Sequence, residues 1–201
     1  LVALSLVLDR RVEVAGLVLV SGYFHPTLRA DTFLLSGPAI PVLGDVLRHT
    51  LAPILGDLLW GPLVRKIFAP AWPSPEFRAF PRGLALRPAQ LRAAAGDVVG
   101  MVVGAALLAD RYKELDLPVT ILAGEADEIV HFGRHSARLH EEIQGSELRS
   151  ILKGGHMLHY TDPNEIVRAV ERVMTRARPR QEERGAEPTS LIRPPPEMDG
   201  P

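Results

Sequence analysis

Several features that would mark particular classes of protein are missing from this sequence. None of the 201 residues is cysteine, which excludes a disulfide framework, a thiolate nucleophile and a metal site built on cysteine. Neither sign of charge dominates, since 23 basic residues face 24 acidic ones. This balance gives no electrostatic reason to expect nucleic acid or an anionic membrane as the main partner. The sequence does not fix the compartment, although it slightly favours the cytoplasm.

A long uncharged apolar run is also missing. The longest candidate, residues 93–109, contains Asp97 and three glycines, and it falls short of the roughly 18–20 apolar residues that cross a membrane. We therefore expect no membrane span. The chain starts with an apolar run, 1–8, that is typical of a buried helix and has neither an N-cap residue nor a charged signal region before it. This pattern predicts a fragment that is cut within a helix.

Short apolar runs between glycines and prolines predict the strands of a buried parallel sheet. Two such runs lie at 16–22 and 118–124, and a third strand is predicted at 147–152. They alternate with predicted helices at 1–8 and 133–143, and with a final helix that starts at Asp162, Pro163 and Glu165 in the manner of a capping box. Strands that alternate with helices predict an α/β fold, with a mostly parallel sheet and flanking helices.

Composition divides the chain into four zones. Residues 1–24 and 113–175 carry the alternating pattern of the core. Residues 25–112 hold ten of the 18 prolines and both tryptophans, which predicts an inserted layer of short helices that ends in a longer one at about 88–112. Repeated proline excludes other long helices and central strands there. Residues 176–201 are rich in arginine, acidic residues and proline, and they predict a disordered tail.

An acid and a histidine follow two of the predicted strands. Asp127 lies in the loop after the second strand, and His156 lies in the loop after the third, behind Gly154 and Gly155. Because sites gather at the carboxyl ends of parallel strands, we expect the two side chains to meet. A carboxylate that binds one imidazole nitrogen fixes the tautomer, and the other nitrogen can then accept a proton from a nucleophile or water.

Asp127 and His156 are not the only candidates in these loops. Asp127 could be only a turn residue or a helix cap, and Glu125 and Glu128 are alternative carboxylates. His159 is the alternative to His156. Three more histidines, His131, His135 and His140, have a spacing that resembles a metal site. No cysteine or paired carboxylates support such a site, so we expect these histidines on a solvated helix face.

The two loops carry a family resemblance. Residues 118–127 read Pro-Val-x-Ile-Leu-Ala-Gly-x-x-Asp, and Gly-Gly-His-Met at 154–157 is followed by Pro163. In these motifs and in their order along the chain, residues 1–175 resemble the α/β-hydrolase fold superfamily. The resemblance implies that Asp127 is the catalytic acid, that His156 is the catalytic histidine and that residues 25–112 form a cap. It implies no cofactor and no metal.

The cap also supplies candidates for a substrate pocket. His25 lies where the first strand leads into the cap, and Trp60 and Trp72 lie within it. Together with nearby phenylalanines, the tryptophans could line an apolar pocket, although we favour the core of the cap itself for most of these aromatic residues.

The nucleophile of the family pattern is missing. No G-x-S-x-G occurs in the sequence, and in the family this motif precedes the helix that residues 1–8 resemble. We therefore expect the fragment to be inactive, and its parent to hydrolyse an ester or similar small apolar substrate through a Ser–His156–Asp127 triad. One alternative is an Asp nucleophile, as in haloalkane dehalogenase-like or epoxide hydrolase-like enzymes. The other is a non-catalytic binding protein on the same fold. The oligomeric state stays open.

Overall fold

The computed structural model describes residues 1–27 and 43–186. In chain order, their helices and strands are α1 (Val2–Leu8), β1 (Leu17–Val20), α2 (Leu43–His49), α3 (Leu51–Phe68), α4 (Pro75–Arg78), α5 (Arg82–Ala85), α6 (Pro88–Leu108), β2 (Val119–Gly124), α7 (Ser136–Glu142), β3 (Glu147–Ile151), α8 (Leu158–Thr161) and α9 (Pro163–Ala186). Two 3₁₀ turns, Ala109–Glu114 and Phe132–Arg134, precede β2 and α7.

The three strands form one parallel sheet with β2 in the middle. Leu17 is in register with Val119, and Thr120 with Glu147. All six residues of β2 are buried, as in a central parallel strand that is covered on both faces. The predicted strands and the parallel α/β class are therefore confirmed. The loops that follow β2 and β3 leave the sheet at the same edge.

The helices bury the sheet. The main core contains residues from α1, β1, β2, α7 and the first 3₁₀ turn, among them Leu4, Leu8, Leu19, Ile121, Tyr112, Leu139 and Ile143. Burial of each large apolar side chain contributes about 1.5–3 kcal/mol. Helix α9 also packs on β1 and β2, through a face of buried residues spaced by four. A side chain at Gly16 would overlap Val173 on this face, so the helix can approach closely only because residue 16 is glycine.

The insertion differs from its prediction in one helix. Short helices α4 and α5 and the long α6 agree with the sequence pattern, but α3 extends over 18 residues and includes Pro53 and Pro62. Pro53 lies in the first turn, where a helix leaves its N–H groups unpaired anyway. Pro62 removes one backbone hydrogen bond, but Val64 and Phe68 beyond it are buried, and their packing offsets that cost. The exclusion of a second long helix was therefore wrong.

The predicted tail begins too early. Helix α9 continues to Ala186, so residue 176 lies within it rather than at the start of a disordered segment. Two contacts hold this part of the helix: the Arg176 guanidinium donates to the carbonyl oxygens of Val119 and Gly145, and Ala177 is buried. Residues 187–201 of the predicted tail, and residues 28–42 of the predicted cap, lie outside the described residues.

One described segment is long and apolar enough to cross a membrane. It covers residues 88–114, and its most apolar 18-residue window has a mean hydropathy of 1.7, with 17% of that window buried. Length and composition are weak evidence for a span, because core helices of soluble proteins pass the same test.

Candidate active site

Asp127 is fixed in the turn that follows β2. Its Oδ1 accepts hydrogen bonds from the backbone N–H groups of Ile129 (2.7 Å) and Val130 (2.8 Å). Its Oδ2 lies 2.8 Å from Nδ1 of His156. The side chain is only 2% exposed. Each of these contacts gives an oxygen of the buried carboxylate a hydrogen-bond partner.

The loop that carries His156 packs directly on the loop that carries Asp127. The N–H of Ala126 donates to the carbonyl of Gly154 at 3.0 Å. A side chain on Gly124 would overlap the backbone of Gly154. The lack of a side chain at Gly124 therefore lets the loops approach closely enough for the acid and the imidazole to meet.

The pair has the geometry that proton transfer requires. In the tautomer that carries its proton on Nδ1, His156 donates to the Asp127 carboxylate and keeps the lone pair of Nε2 available. The His156 side chain is 27% exposed, so a substrate or nucleophile can approach it, whereas its carboxylate partner is enclosed. The competing residues Glu125, Glu128 and His159 are less enclosed than Asp127 and lie towards the surface. The structure thus brings together the two residues that the sequence selected.

His25 lies in the interior and not on the wall of an open pocket. Its ring is 1% exposed and stands edge-on to Tyr112, with centroids 5.6 Å apart. Its Nε2 lies 3.5 Å from Oε2 of Glu142. Burial, and to a smaller extent the positive charge of Arg138, lower the pKa of His25 to about 4. His25 is therefore a neutral core residue at pH 7, and its selection as a pocket residue is not supported.

Trp60 packs within the insertion, and Trp72 lies on its surface. The Trp60 ring stacks on Phe80 at 6.0 Å. The Trp72 ring is 76% exposed, and the Arg65 guanidinium lies 4.2 Å above its centre. An exposed ring that is covered by a cation is a surface feature, so the structure does not support Trp72 as a pocket residue.

His135 does not lie on a solvated helix face, so that expectation is wrong. The residue is 2% exposed, and its Nδ1 accepts the backbone N–H groups of Phe24 (3.2 Å) and His25 (3.3 Å). Nearby, the Tyr112 hydroxyl donates to the Phe24 carbonyl at 2.6 Å. These bonds fasten the segment after β1 to the core. Within residues 1–27 and 43–186, no three metal-binding side chains cluster closely enough to hold an ion.

An apolar groove lies between α1 and α6. Its volume is about 630 Å³, and its lining includes Leu1, Ser5, Tyr23, Gly100 and Met101. Sequence reasoning missed this groove because it depends on how two distant helices approach each other. The only signal in the sequence is the spacing of Gly96, Gly100 and Gly104 by four, which removes side chains from one face of α6.

Solved structures share this arrangement of helices and strands. An esterase (EaEST) from Exiguobacterium antarcticum matches with a TM-score of 0.62 at 18% identity, over 86% of this chain and 62% of its own. An α/β hydrolase fold protein from Burkholderia ambifaria matches at 0.65 and 20% identity, over 84% of this chain and 60% of its own. A thermophilic esterase from Thermogutta terrifontis matches at 0.59 and 18% identity, over 88% and 61%.

This chain spans about three fifths of the length of those structures. Its sequence matches no family model and no curated protein. The likeness therefore concerns architecture, and it includes the parallel sheet whose edge carries Asp127 and His156. The described residues form part of an α/β-hydrolase fold.

Proposed function

We propose that the complete protein is a hydrolase that cleaves an ester or a similar small apolar substrate. The observation that carries this proposal is the 2.8 Å contact between His156 Nδ1 and the buried carboxylate of Asp127. A histidine whose tautomer is fixed in this way is poised as a general base. The architecture shared with proteins described as esterases supports the same reaction class by analogy.

In the proposed mechanism, His156 first accepts a proton from the nucleophile and then donates it to the leaving group. Its Nε2 takes the proton of a serine hydroxyl while the serine oxygen attacks the ester carbonyl, and the resulting imidazolium gives that proton to the departing alcohol. Water then repeats the sequence and releases the acid. Asp127 stays ionised throughout and stabilises the imidazolium. The serine and the oxyanion donors are assigned to residues that precede Leu1 in the complete protein.

The groove between α1 and α6 suits an apolar substrate. The helix that follows the nucleophile in this fold corresponds to α1, so the groove at Leu1 and Ser5 would lie beside the reacting ester. Its lining is mostly apolar, with Met101 and Tyr23 among its walls. Burial of an alkyl or acyl group there would contribute about 0.8 kcal/mol for each methylene removed from water.

Turnover of p-nitrophenyl esters by the complete protein tests the proposal. We expect His156→Ala to lower kcat by at least about 10⁴-fold, because the members of a triad act as a unit. His131→Ala, at an exposed histidine outside the histidine loop and α8, is the matched control and should retain turnover. The 201-residue chain alone should show no turnover that depends on His156. Activity that survives His156→Ala, or turnover of haloalkanes in place of esters, would overturn the serine mechanism.

A further inference from the structure

Three aromatic rings connect the insertion to the histidine loop. Phe68 ends α3, Phe77 lies in α4, and Tyr160 lies in α8, four residues after His156. Their ring centroids are 4.8 Å (Phe68–Phe77), 5.6 Å (Phe68–Tyr160) and 5.5 Å (Phe77–Tyr160) apart. We call these three residues the aromatic bridge. The Phe77–Tyr160 pair is edge-on, the arrangement that aromatic quadrupoles favour.

A backbone contact joins the same two parts of the chain on the other side of His156. A side chain on Gly155 would overlap the carbonyl oxygen of Ala69, the residue that follows α3. The peptide immediately before His156 therefore rests on the end of α3. After His156, the backbone N–H of Tyr160 donates to the carbonyl of Met157 at 2.9 Å, so the backbone of Tyr160 is fixed to the residue that follows the histidine.

His156 is thus held between two points that both depend on the insertion. Its own side chain is partly exposed, and its hydrogen bond within the described part of the chain is the one to Asp127. A single bond leaves the imidazole free to rotate about it unless the backbone is fixed. The contact at Gly155 and the aromatic bridge supply that restraint.

We propose that Tyr160 and Phe77 are positioning residues that hold the His156 imidazole in line with Asp127, so that the insertion controls the orientation of the base. The inference rests on the proposed function only for the statement that His156 is the base. The restraint on the ring is a separate physical property and can be measured without turnover. If α4 moved away from Tyr160, the His156 imidazole would lose its restraint. Renewed contact between α4 and Tyr160 would restore the restraint.

The imidazole signals of His156 in ¹H–¹⁵N NMR spectra of the complete protein test the proposal. A ring held by Asp127 shows a single Nδ1–H tautomer and a protected, low-field N–H proton. We expect Tyr160→Leu, on the loop, and Phe77→Leu, on the insertion, each to lose that proton signal and to show mixed tautomers. Tyr160→Phe keeps the ring and should retain the signal.

Matched variants separate positioning from folding. Trp72→Leu removes an aromatic ring from the insertion at a residue that is 76% exposed and contacts Arg65 rather than the bridge, and it should leave the His156 signals unchanged. Tyr160 is 39% exposed and Phe77 is half-buried, so both leucine variants should fold, which far-UV circular dichroism checks. If one leucine variant does not fold, the other still tests the proposal, and Gly155→Ala is a third variant for the same measurement.

Two results would overturn the proposal: a retained His156 signal in a folded Phe77→Leu chain, or a signal lost equally in Tyr160→Phe. In the complete protein, the same leucine variants should lower kcat by about 10–100-fold with little change in KM. Absence of all esterase activity, together with the expected NMR behaviour of the variants, would refute the proposed function and leave the positioning role intact.

Discussion

Acid should destabilise this fold through His25. The ring is buried against Tyr112, with Glu142, Arg138 and His135 as the other charged or titratable groups around it. Neither ring nitrogen has a hydrogen-bond partner among the described residues. The folded protein therefore disfavours protonation of His25, and its pKa falls to about 4 from the ordinary 6.5.

The sign and size of this effect follow from proton linkage. Below pH 6.5 the unfolded chain binds a proton at His25 that the folded chain does not bind, so stability decreases as the pH falls from 6.5 towards 4. At pH 5 this amounts to about 2 kcal/mol relative to pH 8, from about 1.36 kcal/mol for each pH unit below 6.5. That is a substantial part of the roughly 5–15 kcal/mol by which domains are typically stable.

His25→Phe isolates this contribution. The variant keeps a ring against Tyr112 but cannot titrate, so its free energy of unfolding should lose about 2 kcal/mol less than that of the original chain between pH 8 and pH 5. Urea unfolding followed by circular dichroism at both pH values measures the difference. Parallel pH dependence in the two chains would rule this effect out, because it would show that His25 titrates alike in the folded and unfolded states.

Two further predictions concern the packing of the core. Tyr112→Phe removes the donor to the buried Phe24 carbonyl and should lower the free energy of unfolding, measured in urea, by about 1–3 kcal/mol. A loss near zero would mean that water replaces the hydroxyl. Gly16→Val should destabilise the chain by more than about 1 kcal/mol, because its side chain would overlap Val173 of α9, and an unchanged melting temperature would contradict the close approach of helix and sheet.

The sheet and the acid–histidine pair could be predicted because their signals are local. Apolar runs between glycine and proline define β1 and β2, and in a parallel sheet the loops that follow the strands all leave at the same edge. Asp127 and His156 each follow such a run, so their meeting required no knowledge of side-chain packing. In the structure, His156 Nδ1 lies 2.8 Å from Asp127 Oδ2, as this reasoning predicts.

The errors arose where tertiary packing overrides a local rule. Pro62 predicts the end of a helix, but buried Phe68 beyond it stabilises the continuation of α3. His135 looks like a surface histidine in a polar stretch, yet the N–H groups after β1 approach it from 110 residues away in sequence. The contact between Phe77 and Tyr160 likewise joins segments that no local pattern relates.

Covalent labelling of the complete protein with a fluorophosphonate is the decisive experiment for the proposed serine mechanism. We predict one adduct, located by mass spectrometry on a serine that precedes Leu1. Labelling should be strongly slowed in His156→Ala and Asp127→Asn, since the histidine activates the nucleophile and the acid orients the histidine. An adduct on a serine within the 201 residues, or labelling that is indifferent to both substitutions, would contradict the mechanism.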